Sequence, residues 1–80
     1  MSAEELRAAL RIQPFVPFRL HLTDGRAFDV FHPDCLLISP RVVYVGVYPV
    51  GQQNGERVFD RVEMISVIHI VSLEPLAQNA

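Results

Sequence analysis

The chain has 80 residues, half of them apolar and a fifth charged, which is the composition of one small globular domain rather than a disordered segment. Its net charge of −2, with seven arginines and no lysine, lacks the basic excess that duplex-DNA binding by phosphate neutralisation requires. The single cysteine, Cys35, has no internal partner for a disulfide, the start MSAEELRAAL is acidic where a signal peptide is basic, and no apolar run reaches membrane-spanning length. These features predict a cytoplasmic protein with no membrane and no DNA partner.

Ser2 and Glu5 form the S-x-x-E pattern of a capping box, in which a hydroxyl and a carboxylate each satisfy an orphan backbone N–H. Leu6, Ala9 and Leu10 follow on one face, so a helix is predicted over 2–13. Pro14 and Pro17 end it and hold the next residues extended. So short a helix is stable only when its apolar face docks on something.

From Phe18 the period becomes two. Phe18, Leu20 and Leu22 point one way and Arg19, His21 and Thr23 the other. Asp24-Gly25 supplies a tight turn, and Phe28 and Val30 continue the inner face. His-Pro-Asp breaks this second strand. CLLIS is a third strand, and VVYVGVY a fourth segment that either turns back at Pro40-Arg41 or continues the third through a bend. Gly46 within it suggests a bulge. A polar loop follows, then strands in RVFDRVEM and VIHIVSLEPL, and a frayed tail at 77–80.

A helix followed by about five short antiparallel strands predicts a mainly β domain: a small five-stranded barrel over 18–75, preceded by the helix. The expected core is Leu6, Leu10, Phe18, Leu20, Leu22, Phe28, Val30, Leu36, Ile38, Val43, Val45, Val62, Ile68 and Ile70.

The hairpin LHLTDGRAFDV and the ending MISVIHIVSL, in this order after a short helix, resemble the Sm-like fold of Sm and LSm proteins and of the bacterial RNA chaperone Hfq. The turn is similar to those of SH3-like barrels as well. The opening QPFVPFRLHLTDGR with the later His-Pro also resembles a group of small bacterial proteins of unassigned function. The Sm-like resemblance implies a barrel and, through late strands that pair between neighbours, a homo-oligomer. It does not extend to the RNA site. The Sm pattern has a glycine near Asp29 or Val30, an Asn following the acidic residue represented here by Asp34, and, before the last strand, a basic residue beside a glycine (a Lys-His pair in Hfq); this chain has none of them.

Three sets of residues are candidates for function. His32, Asp34 and Cys35, with His21 and His69 elsewhere, carry side chains able to ligate a metal or move protons, but no repeated ligand spacing supports a site, so no metal, cofactor or enzymatic role is expected. Arg57, Phe59 and Arg61 form a basic–aromatic stripe of the kind that stacks on single-stranded RNA, interrupted by Asp60 and Glu63. The late strands are dominated by Val, Ile, Leu and Met, and a long apolar edge must be covered or paired. Val62, Met64, Val67, His69 and Val71 are the expected oligomer interface, unless the N-terminal helix covers that edge. The sequence thus predicts a non-enzymatic interaction module that self-associates or binds another protein, with RNA binding as the alternative and a metal or catalytic role as the least favoured.

Overall fold

The computed structural model describes residues 1–49 and 59–76. Helix α1 spans Ala3–Arg11, and the capping box forms as read: the Glu5 N–H donates to Ser2 Oγ at 3.2 Å and the Ser2 N–H to Glu5 Oε1 at 3.3 Å. The helix ends at Ile12, ahead of the cis Gln13–Pro14 bond. Leu6, fully buried, anchors α1 to the body of the protein.

Six strands follow: β1 Phe18–Leu22, β2 Ala27–Val30, β3 Leu36–Ile38, β4 Val42–Val47, β5 Arg61–Ser66 and β6 Ile70–Pro75. They form two antiparallel three-stranded sheets, β2-β1-β6 and β3-β4-β5. Among the described residues no ladder joins the two sheets. Both turn their inner faces to one core, which gathers Leu6, Phe18, Leu20, Leu22, Phe28, Val30, Cys35, Leu36, Val43, Val45, Ile65, Val67 and Ile70. No helix among the described residues is long and apolar enough to cross a membrane.

The β1–β2 hairpin puts the expected residues on its inner face, with Phe18 opposite Val30 and Leu20 opposite Phe28. Gly25 sits at φ +89°, and the Asp24 carboxylate accepts the Arg26 N–H at 3.0 Å and the Arg26 Nε at 2.7 Å. Those two bonds hold the Asp24 carboxyl below the usual carboxylate range, the backbone N–H first. A Cβ at Gly25 would meet nothing within 4 Å, so a substitution there is strained by φ alone. Gly25→Val is expected to cost about 1–3 kcal/mol, read as a lowered urea midpoint with an unchanged slope.

β3 and β4 are not one bent strand. They pair as a hairpin, Leu36 opposite Val45, closed by the Ser39 N–H donating to the Val42 carbonyl at 2.9 Å and the Val42 N–H to Ser39 Oγ at 3.1 Å. His32-Pro33 breaks the chain after β2, and Pro33–Cys35 forms a single 3₁₀ turn before β3.

The ending departs from the expected alternation. Val67–His69 is a second 3₁₀ turn between β5 and β6, and three residues per turn displace a period-two pattern. A further slip follows in the β1–β6 ladder, where His21 opposes Ser72 but Leu22 opposes Ile70, leaving Val71 as an extra, exposed residue. The consequence is a different late core. Val62 and Ile68, expected inside, are 60% and 78% exposed, while Ile65 and Val67 are buried.

Candidate functional site

The outer faces of the two sheets differ in kind. On β2-β1-β6, Arg19 sits opposite Asp29 on one side and Glu74 on the other. Its Nε and Nη2 donate to the Asp29 oxygens at 2.6 and 3.1 Å, which raises the Arg19 pKa further above its usual value. His21 Nε2 lies 2.8 Å from Glu74 Oε1. This face alternates apolar-in and polar-out, as a sheet with one solvated side should.

The face of β3-β4-β5 carries almost nothing polar. Leu37, Tyr44 and Met64 stand side by side in one cross-strand row, because Leu37 pairs with Tyr44 and Tyr44 with Met64. Val62 lies one step along β5, opposite Gly46. Leu37, Tyr44, Val62 and Met64 are all exposed. Of the expected interface residues, Val62 and Met64 therefore belong to an open apolar surface. Val67 does not: it is 4% exposed, turned into the core by the second 3₁₀ turn. His69 is exposed on that turn, its Nδ1 3.2 Å from Thr23 Oγ1, and Val71 is the extra residue of β6 in the other sheet. The late strands do not present the five residues on one surface. Leu37 and Tyr44 were missed by sequence reasoning. Their signal is the unbroken apolar runs CLLI and VVYVGV, where a strand solvated on one side would place polar residues at alternate positions.

Of the basic–aromatic stripe, Phe59 and Arg61 lie among the described residues, and both have partners within the chain. Arg57 lies outside the described residues. Arg61 Nε donates to Glu63 Oε1 at 2.9 Å, and its Nη1 lies 3.6 Å from Asp60. The Phe59 ring is half-buried, 5.1 Å from the Tyr48 ring, and covers Gly46. Neither group presents a free stacking surface next to an unpaired cation.

His32, Asp34 and Cys35 straddle the first 3₁₀ turn without converging. Cys35 is buried and points its thiol at Tyr48 Oη, 3.7 Å away, whereas Asp34 is exposed. Among the described residues no three His, Cys, Asp or Glu side chains gather as metal ligands.

A groove of about 300 Å³ runs between the outer edge of β5 and the β1–β2 turn. Leu22, Thr23, Asp24 and Arg26 line one side, Met64, Ile65 and Ser66 the other, and His69 closes it. Arg26 Nη1 reaches across to Glu63 Oε2 at 3.8 Å and its guanidinium sits 5.8 Å from the Phe28 ring centroid, so the turn arginine is part of this groove rather than a solvated tip.

No protein-family model, curated protein or solved structure matches the chain.

Proposed function

We propose that the protein is a non-enzymatic interaction module that associates with further copies of itself through sheet β3-β4-β5. The observation that carries this reading is the contrast between the two outer faces. One is laced with ion pairs; the other is a row of exposed leucine, tyrosine, methionine and valine. An apolar patch of this kind on so small a domain marks a contact surface. The reading keeps the late-strand residues Val62 and Met64, drops Val67, and adds Leu37 and Tyr44.

The fold behind it is read as a five-stranded Sm-like or SH3-like barrel. β2 and β3 then count as one strand interrupted at His32-Pro33, and the packing of β2 against β4 supports that count. A lone, buried Cys35 agrees with a cytoplasmic setting. The RNA-binding alternative is the less favoured, since among the described residues Phe59 packs on Tyr48 and Arg61 pairs with Glu63.

Size exclusion with light scattering at tens of micromolar is the test. A mass of two or more times 9.0 kDa is expected, with Met64→Glu shifting the protein toward a single copy. A 9.0 kDa species for the wild type overturns self-association.

A further inference from the structure

Resting on that reading, we infer that the contact between copies is a two-fold antiparallel pairing of β5 with β5, its axis passing through Val62.

Of the four sheet edges, β5 is the long one with neither a paired strand nor a terminal cap among the described residues. β3 has three residues and β2 four, with β2 lying against β4. The outer edge of β6 is capped at its first carbonyl, because the Met1 ammonium donates to the Ile70 oxygen at 3.2 Å, and it ends in Pro75. β5 has six residues, no proline and no strand paired beyond it among the described residues; the β1–β2 turn stands across the groove from it.

The register of β5 on β4 decides which of its backbone groups face that edge. The Val67 N–H donates to the Arg41 carbonyl at 2.9 Å, in step with the pairs Ile65–Val43, Glu63–Val45 and Arg61–Val47. The same alternation has Ser39 donating to the Val42 carbonyl on the other side of β4. Arg61, Glu63 and Ile65 thus turn their N–H and C=O groups to β4. Val62, Met64 and Ser66 turn theirs outward, where a row of unpaired donors and acceptors is a template for another strand.

Charge then selects the register. Centring the two-fold on Glu63 would set that carboxylate against its own copy, and like charges directly opposite are unfavourable. Centring it on Met64 would set Glu63 against Ile65. Centring it on Val62 sets Arg61 of each copy opposite Glu63 of the other and Val62 opposite Val62. Arg61 and Glu63 are already paired at 2.9 Å within one copy, so the two-fold closes them into a ring of alternating charges. In this register Asp60 of the second copy, which precedes β5 and whose N–H is already taken by its own Val47 carbonyl, comes beside Met64 with its carbonyl and carboxylate. The groove between β5 and the β1–β2 turn leaves room there, with His69 on its wall and Arg26 already paired to Asp24. The edge pairing brings Val62 and Met64 of both copies together at the axis and sets the two apolar faces side by side as one surface, with Leu37 and Tyr44 outside the strand-to-strand contact.

Single-cysteine cross-linking at β5 tests the register separately from self-association. An antiparallel hydrogen-bonded pair across the axis brings its Cα atoms to about 5.5 Å, inside the range of roughly 4.4–6.8 Å that a disulfide spans. Val62→Cys is therefore expected to give a covalent dimer under mild oxidation. Met64→Cys is expected to give none, because four residues of offset place the two Met64 positions roughly 14 Å apart. The wild type, whose one cysteine is buried, is the control, and the far-ultraviolet circular dichroism of both variants checks that they fold. A dimer by light scattering in which Met64→Cys links, or in which Val62→Cys does not, overturns the two-fold at Val62 and leaves self-association standing. A larger ring-sized species with no Val62 cross-link points to a head-to-tail contact and overturns it equally. A monomer removes both.

Discussion

Leu20→Ala is expected to destabilise the protein by about 2–5 kcal/mol, the range for truncating a fully enclosed leucine. Leu20 has no exposed surface, and in register it is flanked by Phe28 on β2 and Leu73 on β6 at the centre of its sheet. Removing three heavy atoms there leaves a cavity that two ladders hold open. A domain of this length has a total stability of only about 4–12 kcal/mol, so the variant loses a large fraction of it and lies close to the unfolding threshold at ambient temperature. Urea unfolding should show the midpoint falling sharply with the slope unchanged. Ile68→Ala, the same chemical change at a residue 78% exposed, should stay within about 0.5 kcal/mol of wild type. Equal losses at the two positions would mean that the second 3₁₀ turn is not where the structure puts it.

That pair of residues marks where the sequence stopped being legible. In the first half each local signal acts alone: the capping box fixes the start of α1, proline its end, and Asp24-Gly25 the hairpin whose alternation places Phe18, Leu20, Leu22, Phe28 and Val30 inside. In the second half, alternation is interrupted twice within five residues, by the 3₁₀ turn at Val67–His69 and by the extra residue Val71. MISVIHIVSL is apolar on both sides of these slips, so composition cannot show which residues turn inward. A core containing Ile68 and an interface containing Val67 are what uninterrupted alternation predicts, and the turn exchanges the two.

The candidate site was legible in part for a related reason. Val62 and Met64 were named because the late strands are rich in apolar residues, but their neighbours Leu37 and Tyr44 come from strands distant in sequence. They join through register, which a single sequence does not carry. The charged face of the other sheet was hidden in the same way. Arg19, Asp29 and Glu74 are unremarkable separately, and only the β1–β2 and β1–β6 ladders set them side by side. The contrast between the faces is thus a property of pairing.

Gly46→Ala is the second large effect expected, and its cause is not the bulge that a glycine inside a strand suggests. β4 pairs without interruption through Gly46, opposite Val62. A Cβ on Gly46 would instead come within 2.7 Å of three atoms of the Phe59 ring. That ring also packs on Tyr48, centroids 5.1 Å apart, so displacing it disturbs a second contact. Overpacking of this kind costs about 1–3 kcal/mol. The explanation makes the two positions interdependent. Phe59→Ala vacates the space the new methyl group needs, so Gly46→Ala in a Phe59→Ala background should cost much less than in wild type, with a coupling of roughly 0.5–3 kcal/mol in a double-mutant cycle. Strictly additive losses would show that Phe59 is not what excludes a side chain at position 46. The cycle also bears on assembly. Phe59 precedes Asp60, whose N–H donates to the Val47 carbonyl at 2.7 Å and fastens the start of β5 to β4. A displaced Phe59 ring pulls on that bond and on Arg61 and Val62 just beyond it. Gly46→Ala is therefore expected to weaken the association of copies as well as the fold, and Phe59→Ala to restore part of both.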